Sequence, residues 1–428
     1  MTLSMSKEQC RQVYSKLFNT IDVADNIASV TTIDGKGEVQ PTTVGLSQVA
    51  AANIWQAVEN LYATGYYPAL LFCLRRDGEI VFNRAIGHTT GNGPHDTEDT
   101  RKVLATPATP SCLFSASKPM SAMVAHKLEE QGKLNMLNPI SHYIPEFGTH
   151  GKEKTTIFHL LSHRAGIPMV EGIDDIRVIF DHEYCLQRLC DTKPVASNNR
   201  DQAYHAVTSG IILDEIVRRV TGKDMRTLWR QYFKTPMGFK TFDYGATAAV
   251  QKKLADQNLT GMQNRHILDP IMKGMIGGTL GDVVELLDEP QFYQSVIPSA
   301  NMFATAEEAS RFYDMLLNDG KWRGKTILQP ETIHRATMEA GPHMWDKTIG
   351  IPLRFSQGFM LGGERFGMYG PGSEQAFGHL GLINNMVWAD PERKISVALL
   401  LTGMPLLATN MPAYVRLLWA VANNCPKV

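Results

Sequence analysis

The sequence predicts an α/β protein of the sandwich type: an antiparallel β-sheet flanked by helices, with a mostly helical domain inserted into it. Three observations predict it. Runs with strand character lie toward both ends of the chain, Ala69 to Leu74 with Ile80 to Ile86 and Asn384 to Ala389 with Ile395 to Leu401. Between them, from about residue 115 to 298, apolar residues recur at helical spacing with little alternation. A chain of 428 residues is also long enough to bury one large core or two moderate ones. The expected division is an extension over 1–45, a discontinuous sheet domain over 46–114 and 299–428, and a helical domain over 115–298, with the active site between the two domains.

Each element has its own signal. A short helical stretch is expected around Glu8 to Phe18, followed by a Gly/Thr-rich passage through Asp34-Gly35-Lys36-Gly37. Val49, Ile54, Val58 and Leu61 mark a helix from Leu46 to Tyr62 that ends near Gly65. The first two strands form a hairpin through Arg76-Asp77-Gly78. Pro107 and Pro110 then break the chain ahead of a helix that opens at Ser115, carries Met120, Met123, Val124 and Leu128, and stops at Gly132. Leu134 to Phe147, with Pro139 and Pro145, reads as an irregular loop, and Thr155 to Ser162 as a short helix. The clearest helix of the insertion is Ala206 to Val220, closed by Gly222. Ala306 to Asp319 is amphipathic with Thr305 as its N-cap. The late strands flank the turn Asp390-Pro391-Glu392-Arg393, and a final helix, Ala413 to Ala422, covers one face of the sheet.

Composition narrows the function classes. A formal net charge of −1 gives no electrostatic case for nucleic acid or an anionic membrane as partner. Six cysteines with no C-x-x-C pair suggest neither a disulfide framework nor a zinc site, so no metal and no cofactor is expected. Met1 to Lys16 is polar and lacks the apolar run of a secretory leader, and no segment reaches the ~18 apolar residues of a membrane span. The expectation is a cytoplasmic protein.

Chemistry enters at Ser115-Ala116-Ser117-Lys118, which puts a hydroxyl and an amine one helical turn apart on one face. A lysine held neutral there can take the serine's proton and activate it as a nucleophile. About one S-x-x-K match is expected by chance in a chain of this length, and a second does occur at Ser4 to Lys7. Context separates them: Ser4 lies in a polar tail, whereas Ser115 follows Leu113-Phe114 and opens an apolar helix. Pro119 fits the first turn of that helix, whose positive end favours a neutral Lys118 and a developing oxyanion.

Four passages resemble the serine β-lactamase and penicillin-binding-protein superfamily, in particular class C β-lactamases and family VIII carboxylesterases. Phe114-Ser115-Ala116-Ser117-Lys118 is similar to the family's nucleophile motif, and Gly132-Lys133-Leu134 through Pro145-Glu146-Phe147 to the loop after it. Phe158 to Ile167, FHLLSHRAGI, resembles its "HLLTHTSG" signature. Tyr204-His205-Ala206 resembles its Y-x-N motif, and His379-Leu380-Gly381 its K-T-G motif. The resemblance covers roughly residues 46 to 425 and implies a β-lactamase/transpeptidase-like fold. It further implies that Tyr204 relays the proton between Ser115, Lys118 and the leaving group, as a phenol whose pKa a nearby ammonium depresses. The backbone N–H groups of Ser115 and Leu382 would form the oxyanion hole, with His379 and Gly381 in the substrate pocket.

Two departures from the family pattern point away from β-lactams. Ala206 replaces the amide that would bind a peptide-like group, and His379 replaces the cation that would pair with the β-lactam carboxylate. An ester needs neither. The expected function is a serine carboxylesterase acting through an acyl-enzyme on small to medium acyl esters, with a small-molecule ester as its partner. The alternatives are a β-lactamase or D-Ala-D-Ala peptidase, an acyltransferase to an alcohol, and a non-catalytic binding protein of the same fold. His159 and His163 stand at i, i+4 without the glutamate of H-E-x-x-H and read as structural; Met272 and Met275 read as core or pocket lining. There is no G-x-S-x-G elbow.

Overall fold

The computed structural model describes residues 18–428 apart from 98, 171, 173, 174, 196–198, 262–264, 366 and 406–409. The helix expected from Glu8 and the second S-x-x-K match at Ser4 lie outside the described residues, except for Phe18. The main sheet is built from β1 (Thr31–Ile33), β2 (Ala69–Arg76), β3 (Glu79–Thr90), β4 (Met360–Leu361), β5 (Phe377–Leu380), β6 (Met386–Asp390) and β7 (Ile395–Leu401). Their order is β1-β3-β2-β7-β6-β5-β4, with an eighth strand, Val103–Leu104, paired to β3 off this path, and every pairing is antiparallel. The two ends of the chain meet at the centre, where β2 lies beside β7 with Leu71 opposite Leu400. Its edge strand β1 comes from the stretch read as an extension.

Both faces of the sheet are covered, which is why β2 reads as an almost uninterrupted apolar run and all its residues are buried. Leu70, Phe72 and Leu74, with Val397 and Leu399, pack against Ile54, Val58 and Leu61 of α1 (Gln48–Tyr62) and Leu417 and Val421 of the last helix, Met411–Asn424. The alternate residues Leu71 and Cys73, with Ala398 and Leu400, face the other way. There they meet Ala309, Phe312 and Tyr313 of the helix Ala306–Leu317. The hairpin between β2 and β3 turns through Asp77 (φ 50°) and Gly78 (φ 83°), the two positive φ values that a right-twisted two-residue turn requires.

Between the two halves of the sheet the chain forms α2 (Lys118–Glu130), α3 (Thr208–Thr221) and several shorter helices. Among the described residues of 115–298 the strand Asp243–Tyr244 is the single strand. With Ser111–Cys112 and Met302–Ala304 it makes a small sheet where the chain enters and leaves the helical part. From Lys118 to His126 α2 is buried on every side, so it forms the spine between the layers. The loop expected at Leu134 to Phe147 holds two short helical turns, Ile140–Tyr143 after Pro139 and Pro145–Phe147 opened by its own proline. Proline at a first turn loses no hydrogen bond, so the residues read as breakers here act as starters. Among the described residues no helix is long and apolar enough to cross a membrane.

The helix Ala306–Leu317 carries one whole face of the sheet, and a capping box starts it: the Thr305 hydroxyl accepts from Glu308 N at 3.1 Å, and the Glu308 carboxylate reaches back to Thr305 N at 3.4 Å. Thr305→Ala should lower unfolding stability by about 1 kcal/mol. Urea denaturation checks it, as a lower midpoint with an unchanged slope.

Candidate active site

The nucleophile segment is held before the helix begins. Ser111 and Cys112 pair with Ala304 and Phe303, and Leu113 N donates to Met302 O at 2.8 Å. Phe114 then takes φ 47°, a left-handed conformation that costs energy in a bulky residue and turns the chain sharply into the next element. That element, Phe114–Ser117, is a 3-10 turn, and α2 begins only at Lys118 with Pro119 in its first turn. With three residues per turn, a 3-10 helix eclipses i and i+3. Ser115 Oγ and Lys118 Nζ consequently lie 3.0 Å apart, in hydrogen-bonding contact.

Lys118 is buried, and burial alone holds its pKa well below the ordinary lysine value. Two carbonyl oxygens face its nitrogen besides the serine, Ala206 O at 2.7 Å and Ser299 O at 3.2 Å. A neutral amine has two N–H bonds and one lone pair. Carbonyls only accept, so both N–H bonds go to them and the lone pair is left for Ser115 Oγ–H. This is the geometry of a general base on a serine nucleophile.

The two carbonyls come from separate segments, each clamped. Ser299 Oγ donates to Val207 O at 3.0 Å and accepts from Gly210 N at 3.0 Å, fixing the first turn of α3. On the nucleophile side, Ser121 Oγ donates to Pro298 O at 2.5 Å while accepting from the Tyr244 hydroxyl at 2.7 Å, and Ser117 Oγ accepts from Met302 N at 3.1 Å.

Tyr204 lies in the turn just before α3, buried, with its hydroxyl facing Ser115 closely enough for Ser115 to act on its pKa and its ring 4.9 Å from Lys118 Nζ. Burial pushes the phenol well above the ordinary tyrosine value, against the lowering effect of Ser115, and the charge of Asp346 adds to the upward push. The sequence reading expects a neighbouring ammonium to depress the phenol; burial instead raises the Tyr204 phenol and lowers Lys118, so the shift runs the other way. Two histidines frame it. His163, at φ 59°, accepts at Nδ1 from His205 N at 3.1 Å and at its carbonyl from Ala203 N at 2.9 Å, so the FHLLSHRAGI passage grips Tyr204 from both sides. His205 Nε2 accepts from Ile167 N at 3.2 Å. His163, read as structural, also packs at a tilt against the Tyr204 ring, with centroids 4.7 Å apart. His159 caps its own helix, its Nδ1 accepting from Thr156 N at 3.1 Å.

The third wall is β5. His379 donates from Nδ1 to Leu380 O at 2.6 Å, which leaves Nε2 as a bare acceptor, buried and without a protein partner. Its ring centroid is 6.0 Å from that of Tyr204. Gly381 follows, where a β-carbon would come within 2.4 Å of Leu113 O, so only glycine lets this strand end lie against the nucleophile segment. Leu382 opens the short helical turn Leu382–Asn384, and Ser115 stands second in its own. N–H groups at such positions have no intrahelical acceptor. Asn385 locks the two together: its Nδ2 donates to Cys112 O at 2.8 Å, its Oδ1 accepts from Leu401 N at 2.6 Å, and its carbonyl accepts from Gly381 N at 2.6 Å.

Buried Lys118, Tyr204 and His379 thus gather around the partly exposed Ser115, with Gly381 and Leu382 at the edge. Sequence reading missed Ser299, Asn385 and Asp346, single residues in loops with no motif around them, which only tertiary contact reveals. Among the described residues no group of three or more His, Cys, Asp or Glu side chains could hold a metal ion.

Fold and cluster together define the class, and comparison with known proteins agrees. The chain belongs to the beta-lactamase family, whose model matches residues 54–418. It is a serine hydrolase of that superfamily with the β-lactamase/transpeptidase-like fold. Among curated relatives, the esterase/beta-lactamase LipL of Mycobacterium tuberculosis is 29% identical over 319 residues, covering 71% of this chain and 72% of LipL. The crystal structure of a family VIII carboxylesterase superposes with a TM-score of 0.75 at 25% identity, covering 89% of this chain and 99% of that one. A penicillin-binding protein homolog from Caulobacter crescentus gives 0.75 at 26% identity, with 89% and 99% covered.

The buried imidazoles make stability depend on pH. Burial, the largest cause, pulls His205 and His379 from the ordinary 6.5 down to about 3. Both are neutral when folded and take up a proton on unfolding once the pH is below 6.5. The stability they contribute is intact above 6.5 and lost progressively as pH falls toward 3. Each should cost up to about 1.4 kcal/mol per pH unit in that window. Urea midpoints measured from about pH 7 to 4 should fall steadily; a flat profile would contradict two buried neutral imidazoles.

Proposed function

We propose that this chain is a carboxylesterase that cleaves small to medium acyl esters through an acyl-enzyme on Ser115. The observation that carries the reading is the Ser115–Lys118 pair, 3.0 Å apart, with both amine protons directed to carbonyl oxygens. Lys118 takes the proton from Ser115 Oγ as that oxygen attacks the ester carbonyl carbon. The N–H groups of Ser115 and Leu382 hold the resulting oxyanion; losing one such donor typically costs about 10²–10³ in rate. Tyr204, protonated and facing Ser115, gives its proton to the leaving alcohol as the C–O bond breaks, and is reprotonated at the expense of the Lys118 ammonium. Water then attacks the acyl-enzyme, its proton passes back into the same pair of groups, and Ser115 leaves with a proton restored.

The preference for an ester over a β-lactam rests on what stands beside this machinery. His379 is neutral and so offers no fixed cation for a ring carboxylate. Ala206 has no amide, and its carbonyl is already engaged by Lys118. The esterase named among the relatives and the carboxylesterase of matching fold support the same choice. LipL's printed name also includes β-lactamase, which keeps that activity as the second reading. Transfer of the acyl group to an alcohol is the same chemistry with a different acceptor.

Ser115→Ala should abolish hydrolysis of p-nitrophenyl esters, a loss of at least about 10³-fold, together with covalent labelling by a fluorophosphonate. Hydrolysis by that variant at the parent rate would end the esterase reading. Lys118→Met should keep the fold and lose the acylation burst, and a burst of normal amplitude would remove lysine from the mechanism. A panel of p-nitrophenyl esters of increasing chain length beside a chromogenic cephalosporin separates the two readings; we expect turnover of the esters and little or none of the cephalosporin.

A further inference from the structure

We propose that Asp346 is a positioning residue for ester cleavage, holding the backbone behind Tyr204 so that the phenol meets Ser115. The inference rests on the role given above to Tyr204. Asp346 is fully buried in the loop ahead of Pro352–Leu353, far along the chain from the tyrosine. Its Oδ1 gathers three backbone N–H groups: Thr348 at 3.0 Å, Ile349 at 2.9 Å and Tyr204 at 3.1 Å. The first two are local and preform the loop, in the manner of an Asx turn. The third crosses from that loop to the segment carrying the phenol.

The neighbouring contacts run in the same direction. Lys347 N donates to Gln202 O at 3.0 Å, Gln202 Nε2 donates to Leu353 O at 3.2 Å, and Phe355 stacks on the Tyr204 ring with centroids 6.4 Å apart. The turn before α3 is therefore held by the His163 passage on one side and by the Asp346 loop on the other.

A carboxylate at this position also does something a neutral acceptor would not. Asp346 Oδ2 is buried with no partner, so part of the charge is left unscreened. The other titratable groups around the phenol are Lys118, His163, His205 and His379, all of which burial drives toward neutrality. Asp346 is thus the fixed charge in Tyr204's surroundings, and it acts to keep the phenol protonated, as an acid for the leaving alcohol must be.

Two variants separate the contributions. Asp346→Ala removes both acceptor and charge; Asp346→Asn keeps an amide oxygen for the three N–H groups and removes only the charge. For Asp346→Ala we expect kcat on alkyl esters, whose alkoxide leaving group needs the phenol's proton, to fall about 10²-fold, with KM within about threefold. Fluorophosphonate labelling of Ser115 should stay near the parent rate, because fluoride departs without a proton from Tyr204. Asp346→Asn should recover most of kcat, with the alkaline limb of its pH profile moved to lower pH. Parent-like turnover in Asp346→Ala, or labelling that falls in step with turnover, would overturn the proposal. If Asp346→Ala does not fold, Asp346→Asn decides: an unmoved alkaline limb counts against it. Tyr204→Phe is the control for the underlying reading. A fully active Tyr204→Phe would remove the tyrosine itself, whereas a slow Tyr204→Phe beside an active Asp346→Ala sinks this inference alone.

Discussion

A lysine buried with no carboxylate beside it cannot remain an ammonium without a large desolvation cost, and the structure around Ser115 is arranged on that constraint. Lys118 has burial as the sole cause of its lowered pKa, and its nitrogen is met by two carbonyls and a hydroxyl. A single carbonyl would leave one N–H free to turn toward the serine, and the lone pair could point elsewhere. Two carbonyls fix it. Because Ala206 O and Ser299 O come from segments that meet only when the helical part closes on the end of the small sheet, the reactive protonation state is a property of the assembled fold. The serine clamps at Ser117, Ser121 and Ser299 are buried in a region that could otherwise have been apolar: the first two tie the 298–302 segment to the helix bearing Lys118, and Ser299 ties it to the first turn of α3.

The sheet supplies the opposite wall by a different means. β5 ends against the nucleophile segment at Gly381, and Asn385 spans from that end to Cys112 and to Leu401 in the centre of the sheet. A buried amide with one donor and one acceptor bond to backbone behaves as a rigid spacer, because breaking either contact leaves an unpaired polar group in a dry interior. The separation between the Leu382 and Ser115 amides is thereby set by the main sheet and not by loop chemistry. On the proposed mechanism those amides would stand ready for an oxyanion before substrate arrives, which is what makes such donors effective.

Much of this was legible in the sequence, for reasons that differ by residue. Strand β7 was readable to its bounds because both its faces are buried and its residues are apolar throughout. The helix Ala306–Leu317 announced itself through a cap and an amphipathic stripe. Ser115 and Lys118 were legible because their relation is local: three positions apart is a distance that secondary structure alone fixes. What could not be read was anything depending on which segments meet. The 3-10 character of Phe114–Ser117 follows from a backbone turn forced by the small sheet, not from propensity. The sign of the Tyr204 shift is set by how deeply the phenol is buried, which residue type does not reveal. Asp346 and Asn385 belong to the site only because distant loops pack beside it.

One consequence concerns the kind of substrate the cleft can tolerate. A site whose lysine is neutral, whose three nearby histidines are neutral and whose fixed charge is a buried aspartate has nothing to pay for dehydrating an anionic ligand. A carboxylate-bearing substrate would lose its hydration shell and gain no cation in return, whereas a neutral ester loses little. In place of the lysine cation expected from the family pattern, His379 presents a single lone pair at Nε2, able to accept a hydrogen bond and unable to balance a charge. On the proposed mechanism, the same burial that lowers the pKa of Lys118 would also disfavour charged ligands, so that reactivity and substrate class would follow from one physical condition, the exclusion of water around an amine with no carboxylate beside it.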